Sequence, residues 1–210
     1  MCRKTVLTAL AFLVALAGLG ERVRVEEPWL VAYDAEGHPL WELLATEVEG
    51  TSTGWTAVEV TVRVFGADGE VAIEVHVAKL QTDPKGSRWS SAAPVEGEGA
   101  DFRFYAEGVR WEGEGLRIEG LRFESGELAL TAQVATWSRD GSWHLMGAVA
   151  SYGEWELEFS RGVYHQDEEV LEITEGLVAR GWGWRVRAEG AKIDIPTKRV
   201  TLQEVEVVEA

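Results

Sequence analysis

The side chains best suited to catalysis or to metal binding are few and widely spaced. The four histidines are His38, His76, His144 and His165, and none belongs to an H-x-H or H-E-x-x-H pattern. Cys2 is the single cysteine, which excludes a disulfide within the chain and a zinc site built from cysteines. The sequence therefore predicts no catalytic centre, no cofactor and no resident metal, and the protein is interpreted as a non-enzyme.

Two weaker chemical interpretations stay open. The segment His165–Glu169 is rich in acids and could ligate a metal, although an acidic hairpin tip is far more often simply solvated. A secreted hydrolase would need a pair of carboxylates, but with 36 acidic residues in the chain the spacing alone selects none. The spacing G-x-S-x-G occurs once, at Gly50–Gly54, but it lies in a turn between two predicted strands, whereas a nucleophile elbow leads from a strand into a helix. No phosphate-binding P-loop is present.

The formal charge of −16 limits the classes of partner. Nucleic-acid binding needs Lys and Arg to replace the counterions of phosphate, so this class is excluded. The same charge argues against general adhesion to anionic lipid surfaces. The acidic residues are interspersed with apolar ones, which is typical of the solvated face of a sheet.

A spaced motif occurs four times and indicates how the chain is built. Its copies begin at Trp41, Phe102, Leu128 and Trp184, and each reads apolar-x-apolar-x-Ala-x-x, followed by another small or apolar residue. The first half has period two, as in a strand with one apolar face. The three-residue step after Ala changes the parity of that face. A bulge or corner is therefore predicted after each Ala.

The remaining pattern predicts an all-β protein of one domain or two small ones. Ten Trp, many Val and 23 Gly favour strands and turns. Short alternating segments recur at intervals of about eight to twelve residues, as in a sandwich, roll or barrel. Only Gln81–Ala100 departs from this pattern, and it is interpreted as a loop insertion at 81–100.

The N-terminus has the features of an export segment. Arg3 and Lys4 precede the apolar run Thr5–Val14, and Ala15 and Ala17 form an A-x-A cleavage pattern. The apolar stretch would span about 24 Å as a helix, which leaves both a cleaved signal peptide and a retained membrane anchor open. Residues 1–20 are therefore assigned to export or anchoring, 21–28 to a spacer, and 29–210 to one β domain.

Several spaced segments resemble a known family. Asp34–Ala45 reads DAEGHPLWELLA, and it is followed by Leu128–Ala135, Trp143–Val149, Glu169–Ile173 and Ala188–Asp194. Their order resembles the periplasmic lipopolysaccharide-export bridge proteins with an OstA-like β-jellyroll, in particular the inner-membrane-anchored C component. The resemblance covers most of residues 29–207.

This resemblance implies an open, V-shaped antiparallel β-jellyroll that carries lipid chains in its apolar interior. It implies docking through edge strands to an inner-membrane ABC transporter and to a soluble homologous bridge protein, in the periplasm or cell envelope. The cargo would be lipopolysaccharide or a related glycolipid. The expected lining of the groove is Trp41, Leu43, Ala45, Phe102, Phe104, Ala106, Leu128, Leu130, Ala132, Trp184, Val186 and Ala188.

The same apolar positions admit a second interpretation. Aromatic side chains bury large areas, so the face could be an ordinary packed core. The protein would then be a structural or protein-interaction module of the envelope that carries no lipid.

Overall fold

The computed structural model describes residues 23–84, 88–112 and 115–209. Every regular element in these ranges is a β-strand, which confirms the all-β prediction. The predicted export or anchor segment at 1–20 lies outside the described residues. Within them, no helix has the length and apolar character needed to cross a membrane.

The chain forms two compact units. The first comprises the described residues up to Ala100 together with Glu107–Gly115, and the second comprises Asp101–Ala106 and the described residues from Leu116 onward. The single β domain expected over 29–210 stays a prediction.

The first unit is an antiparallel meander. Its strands are β1 Val23–Glu26, β2 Trp29–Tyr33, β3 Pro39–Thr51, β4 Gly54–Phe65, β5 Val71–Thr82, β6 Trp89–Ser91, β7 Val95–Glu98 and β9 Gly108–Glu112. Strand β3 pairs with β1 and β2 along one edge and with β4 along the other. Strand β4 then pairs with β5, β5 pairs with β6 and β7, and β6 pairs with β9.

The second unit repeats this antiparallel plan. Its strands follow one another from β10 to β13, and β14 and β15 together fill the place between β13 and β16. Strand β8 pairs with β10, and β17 pairs with β16. The strands are β8 Arg103–Ala106, β10 Gly115–Ser125, β11 Leu128–Ser138, β12 Ser142–Tyr152, β13 Trp155–His165, β14 Val170–Glu175, β15 Leu177–Gly181, β16 Trp184–Asp194 and β17 Arg199–Glu209.

Two segments interpreted as irregular contain strands. Strand β1 lies within the predicted spacer at 21–28, where Arg24 forms an ion pair of 2.6 Å with Glu47 of β3. Strands β6 and β7 lie within the predicted loop at 81–100. Trp89 of β6 is buried, and its ring stacks on that of Trp111 at a centroid distance of 6.2 Å. The Pro, Gly and Ser residues around Trp89 are typical of a loop, so the sequence did not predict that this segment packs against Trp111.

The predicted change of parity after each Ala is confirmed by the burial pattern. In β11 the buried face passes from Leu128, Leu130 and Ala132 to Ala135 and Trp137. The same change occurs in all four copies of the motif.

The step has a common backbone cause in three copies. The residue after Ala faces a left-handed residue on the neighbouring strand, and this residue turns the local backbone without shifting the register. These left-handed residues are Glu59 opposite Thr46, Gly147 opposite Gln133, and Glu204 opposite Glu189.

Candidate functional site

The predicted lining residues occupy the inner faces of both units. In the first unit, Trp41 and Leu43 are buried and Ala45 is half-buried. The other nine lie in the second unit. Eight of these are buried: Phe102, Phe104, Ala106, Leu128, Leu130, Ala132, Val186 and Ala188. The ninth, Trp184, shares its face of β16 with Val186 and Ala188, yet 49% of its surface is exposed.

An aromatic cluster fills one part of the second unit. The ring of Trp143 lies 5.2 Å from Phe123, 5.5 Å from Phe102 and 5.9 Å from Phe104, with the planes tilted or edge-on. These separations are typical of favourable aromatic contacts. Tyr164 joins the cluster through Phe123, and desolvation by burial raises the pKa of its phenol. Here the inner face is packed by its own side chains.

The inner face is uncovered at the last strand of this unit. Ala188 pairs with Val205, and Ile193 pairs with Val200, so both valines lie on the same face as the buried residues of β16. Val200 is nevertheless 49% exposed and Val205 is 47% exposed. With Trp184 they extend the apolar interior to solvent. The alternation in the sequence placed these residues on the inner face but gave no sign of their exposure.

Within the described part of the chain, four buried indole N–H groups have no hydrogen-bond partner. They belong to Trp41, Trp55 and Trp89 of the first unit and to Trp137 of the second. A buried donor without an acceptor costs about 1–3 kcal/mol. The burial of the large indole rings offsets this cost.

The outer faces carry the charge ladders expected from the alternation of Arg, Lys and Glu. In the second unit the Arg103 Nε donates to Glu124 at 2.8 Å, and the Lys192 ammonium donates to Glu172 at 3.0 Å. The hydrogen bond from Lys192 lowers the pKa of the Glu172 carboxyl. Such exposed pairs stabilise only weakly, so their main effect is to keep these faces solvated.

One group of side chains in the first unit has metal-ligand chemistry that the sequence analysis missed. Glu74, His76 and Glu98 come from β5 and β7, and their ligand atoms lie within 4.8 Å of one another. Arg63 already donates to Glu74 at 2.7 Å, so part of this negative charge is neutralised within the protein. The acidic tip suggested at His165–Glu169 holds a contact of 3.4 Å between His165 Nδ1 and Ser142 Oγ.

Comparison with known proteins gives structural likenesses only, and the one described here is of low similarity. No protein-family model and no curated protein matches the chain. Among solved structures, it is similar to LptH, the LptA-homologous periplasmic component of the lipopolysaccharide transport device from Pseudomonas aeruginosa. The identity is 11% and the TM-score is 0.30, over 66% of this chain and 94% of that one.

Proposed function

We propose that the protein is a non-enzymatic lipid carrier or bridge of the cell envelope, which passes the acyl chains of a glycolipid such as lipopolysaccharide along its apolar interior. The observation that carries this proposal is the uncovered inner flank of the second unit. Trp184, Val200 and Val205 continue a buried apolar face into solvent. Folding gains nothing by leaving these side chains exposed, whereas an acyl chain lying against them would be removed from water.

Simple energetics support such a guest. Each buried CH₂ contributes about 0.8 kcal/mol, so an acyl chain needs only part of its length against this flank to be held. Carriage of this kind requires no catalytic side chain and no cofactor.

The proposal extends to the shape of the fold, to the partners of the protein and to its location in the cell. The fold would be an open, V-shaped jellyroll, and edge strands such as β17 would pair with a soluble homologous bridge protein and with an inner-membrane ABC transporter. Residues 1–20 would direct the chain to the periplasm, as a cleaved signal or as an anchor in the inner membrane.

A protein-interaction module is the second candidate. It is favoured by the full burial of Leu43, Leu130 and Phe104, which shows that much of the interior is filled by side chains. In that case the flank at β17 would bind an apolar segment of a protein partner, and no lipid would be carried.

Native mass spectrometry of the purified full chain separates the two candidates. We expect the wild-type protein to retain lipid adducts. The substitution Val205→Glu places a charge on the exposed inner flank and should remove them. The matched control Thr201→Glu adds the same charge to the opposite face of β17 and should retain them. A wild-type protein that carries no lipid, or equal adducts in both variants, would exclude the carrier.

A further inference from the structure

The hairpin formed by β15 and β16 differs in charge from the rest of the chain. Between Glu175 and Glu189 the sequence contains Arg180, Arg185 and Arg187 and no acidic residue, although the chain as a whole has a formal charge of −16. Two tryptophans, Trp182 and Trp184, lie at its tip. The net charge of the protein therefore does not describe this hairpin.

The backbone of Trp182 at the tip has a left-handed conformation that is unfavourable for a bulky residue. Trp182 and Gly183 are the two central residues of the turn, since Gly181 pairs with Trp184, and their φ angles are +50° and +78°. Such a turn prefers Asn, Asp or Gly at its first central position, and a bulky residue there is uncommon. Trp182 is also 72% exposed.

Three aromatic residues lie at this end, with Trp182 and Trp184 exposed and Trp155 half-buried. The rings of Trp155 and Trp182 meet edge-on with their centroids 5.5 Å apart, and Trp184 pairs with Gly181 in the register. A Cβ at Gly181 would meet the Trp155 ring at 2.7 Å, so this glycine allows the indole to lie against the backbone. Trp155 therefore contacts the tip at both Gly181 and Trp182.

Of the two arginines that flank the tip, Arg185 is the one without a partner among the described side chains. Arg180 is paired with Glu156 and Glu158 at 3.2 and 3.4 Å. Arg185 lies directly opposite Arg180 in the register and is half-buried, and its buried Nε has no hydrogen-bond partner among the described side chains. Because Glu156 and Glu158 already neutralise Arg180, Arg185 is the guanidinium of this pair that is left for an anion from outside the chain.

We propose that this hairpin tip docks on the surface of a phospholipid bilayer, with the indoles of Trp182 and Trp184 at the headgroup level and Arg185 against lipid phosphate. Indole rings favour this interface because they are apolar with one polar N–H, and a guanidinium one residue behind the tip reaches the phosphates. Acidic residues also lie near the tip: Glu209 is the register partner of Trp184, and Glu156 and Glu158 are paired with Arg180. The docking therefore rests on the two indoles and on Arg185, and screening limits the field of the remaining acidic residues to about 8–10 Å at physiological salt. This docking does not depend on whether lipid enters the interior.

Trp29 provides a matched control. It is 64% exposed, but it lies in the first unit and its indole N–H donates to Glu42 at 2.6 Å. A partner within the protein therefore already satisfies its polar atom.

The test is quenching of tryptophan fluorescence in the full chain by vesicles of brominated phosphatidylcholine, with and without phosphatidylglycerol. Residues 1–22 contain no Trp, so the export segment adds no signal even where it enters the bilayer. We expect quenching in the wild type, its loss in Trp182→Gly/Trp184→Ser, and no change in Trp29→Phe. The double variant should also bind vesicles about tenfold more weakly in sedimentation.

Two further results decide between docking and other causes. Glycine suits a φ of +50°, so Trp182→Gly alone should melt at or above the wild-type temperature while quenching falls. Arg185→Gln should remove any increase that phosphatidylglycerol gives. Quenching that persists in the double variant would come from lipid reaching buried tryptophans and would overturn the docking. Persistence of the phosphatidylglycerol increase in Arg185→Gln would overturn the role of Arg185.

Discussion

Strands β11 and β17 of the second unit both have apolar residues at every second position with one three-residue step, but they differ in their surroundings. Leu128 and Leu130 of β11 are buried, whereas Val200 and Val205 of β17 are about half exposed, although all four lie on the inner face. Strand β11 lies between β10 and β12, while β17 pairs with β16 and is the last strand in chain order. Alternation therefore identifies which residues share a face, and only the position of the strand decides whether that face is covered.

The largest expected effect tests this contrast by removing side-chain volume. Leu130→Ala should lower the free energy of unfolding by about 2–5 kcal/mol, because it leaves a cavity in a packed interior. Val205→Ala should change it by less than about 0.5 kcal/mol, because about half of the valine is already exposed to solvent. Urea unfolding of both variants measures the difference, and equal losses would show that β17 is as well covered as β11.

A second test uses the left-handed residues at the corners of the two regions. Gly147 of β12 has φ +57°, and Glu204 of β17 has φ +49°. Gly147→Ala should cost about 1 kcal/mol, since Ala is strained there and its Cβ would meet Gln133 at 2.7 Å. Glu204→Gly should have the opposite sign and stabilise by up to about 1 kcal/mol. Thermal unfolding of the two variants checks the signs, and a gain in Gly147→Ala would contradict the corner geometry.

The smallest expected effect concerns the charged outer face. Because the hydrogen bond from Lys192 lowers the pKa of Glu172, this pair stabilises the protein above the ordinary pKa of the carboxyl. Its contribution is lost as the pH falls through the lowered pKa. Lys192→Met should therefore raise the pKa of Glu172 towards its ordinary value in an NMR titration of the side-chain carboxyl. An unchanged pKa would show that the pair does not persist in solution.

Much of the fold follows from the sequence, because a two-residue period dictates strands and a three-residue step dictates a corner. The four-copy motif predicted the change of face at Ala45, Ala106, Ala132 and Ala188, and the burial pattern confirms it. The left-handed residues that cause it were not predictable, since two of them are glutamates and not glycines.

Less of the candidate site than of the fold could be predicted from the sequence. Burial of Trp89 depends on its contact with Trp111, which lies more than twenty residues away and leaves no local signal. Exposure of Trp184 depends on its position at the hairpin end, which alternation does not encode. The division of the lining residues between two units likewise depends on contacts between distant strands.

Site-specific photo-crosslinking in cells, from a photoreactive residue at Val205, tests the central claim most directly. The same residue at the adjacent Glu206 serves as the control, because neighbouring positions of a strand point to opposite faces. The lipid-carrier account predicts lipid adducts from position 205 and none from position 206. Adducts only to protein from position 205, or equal lipid labelling at both positions, would contradict it.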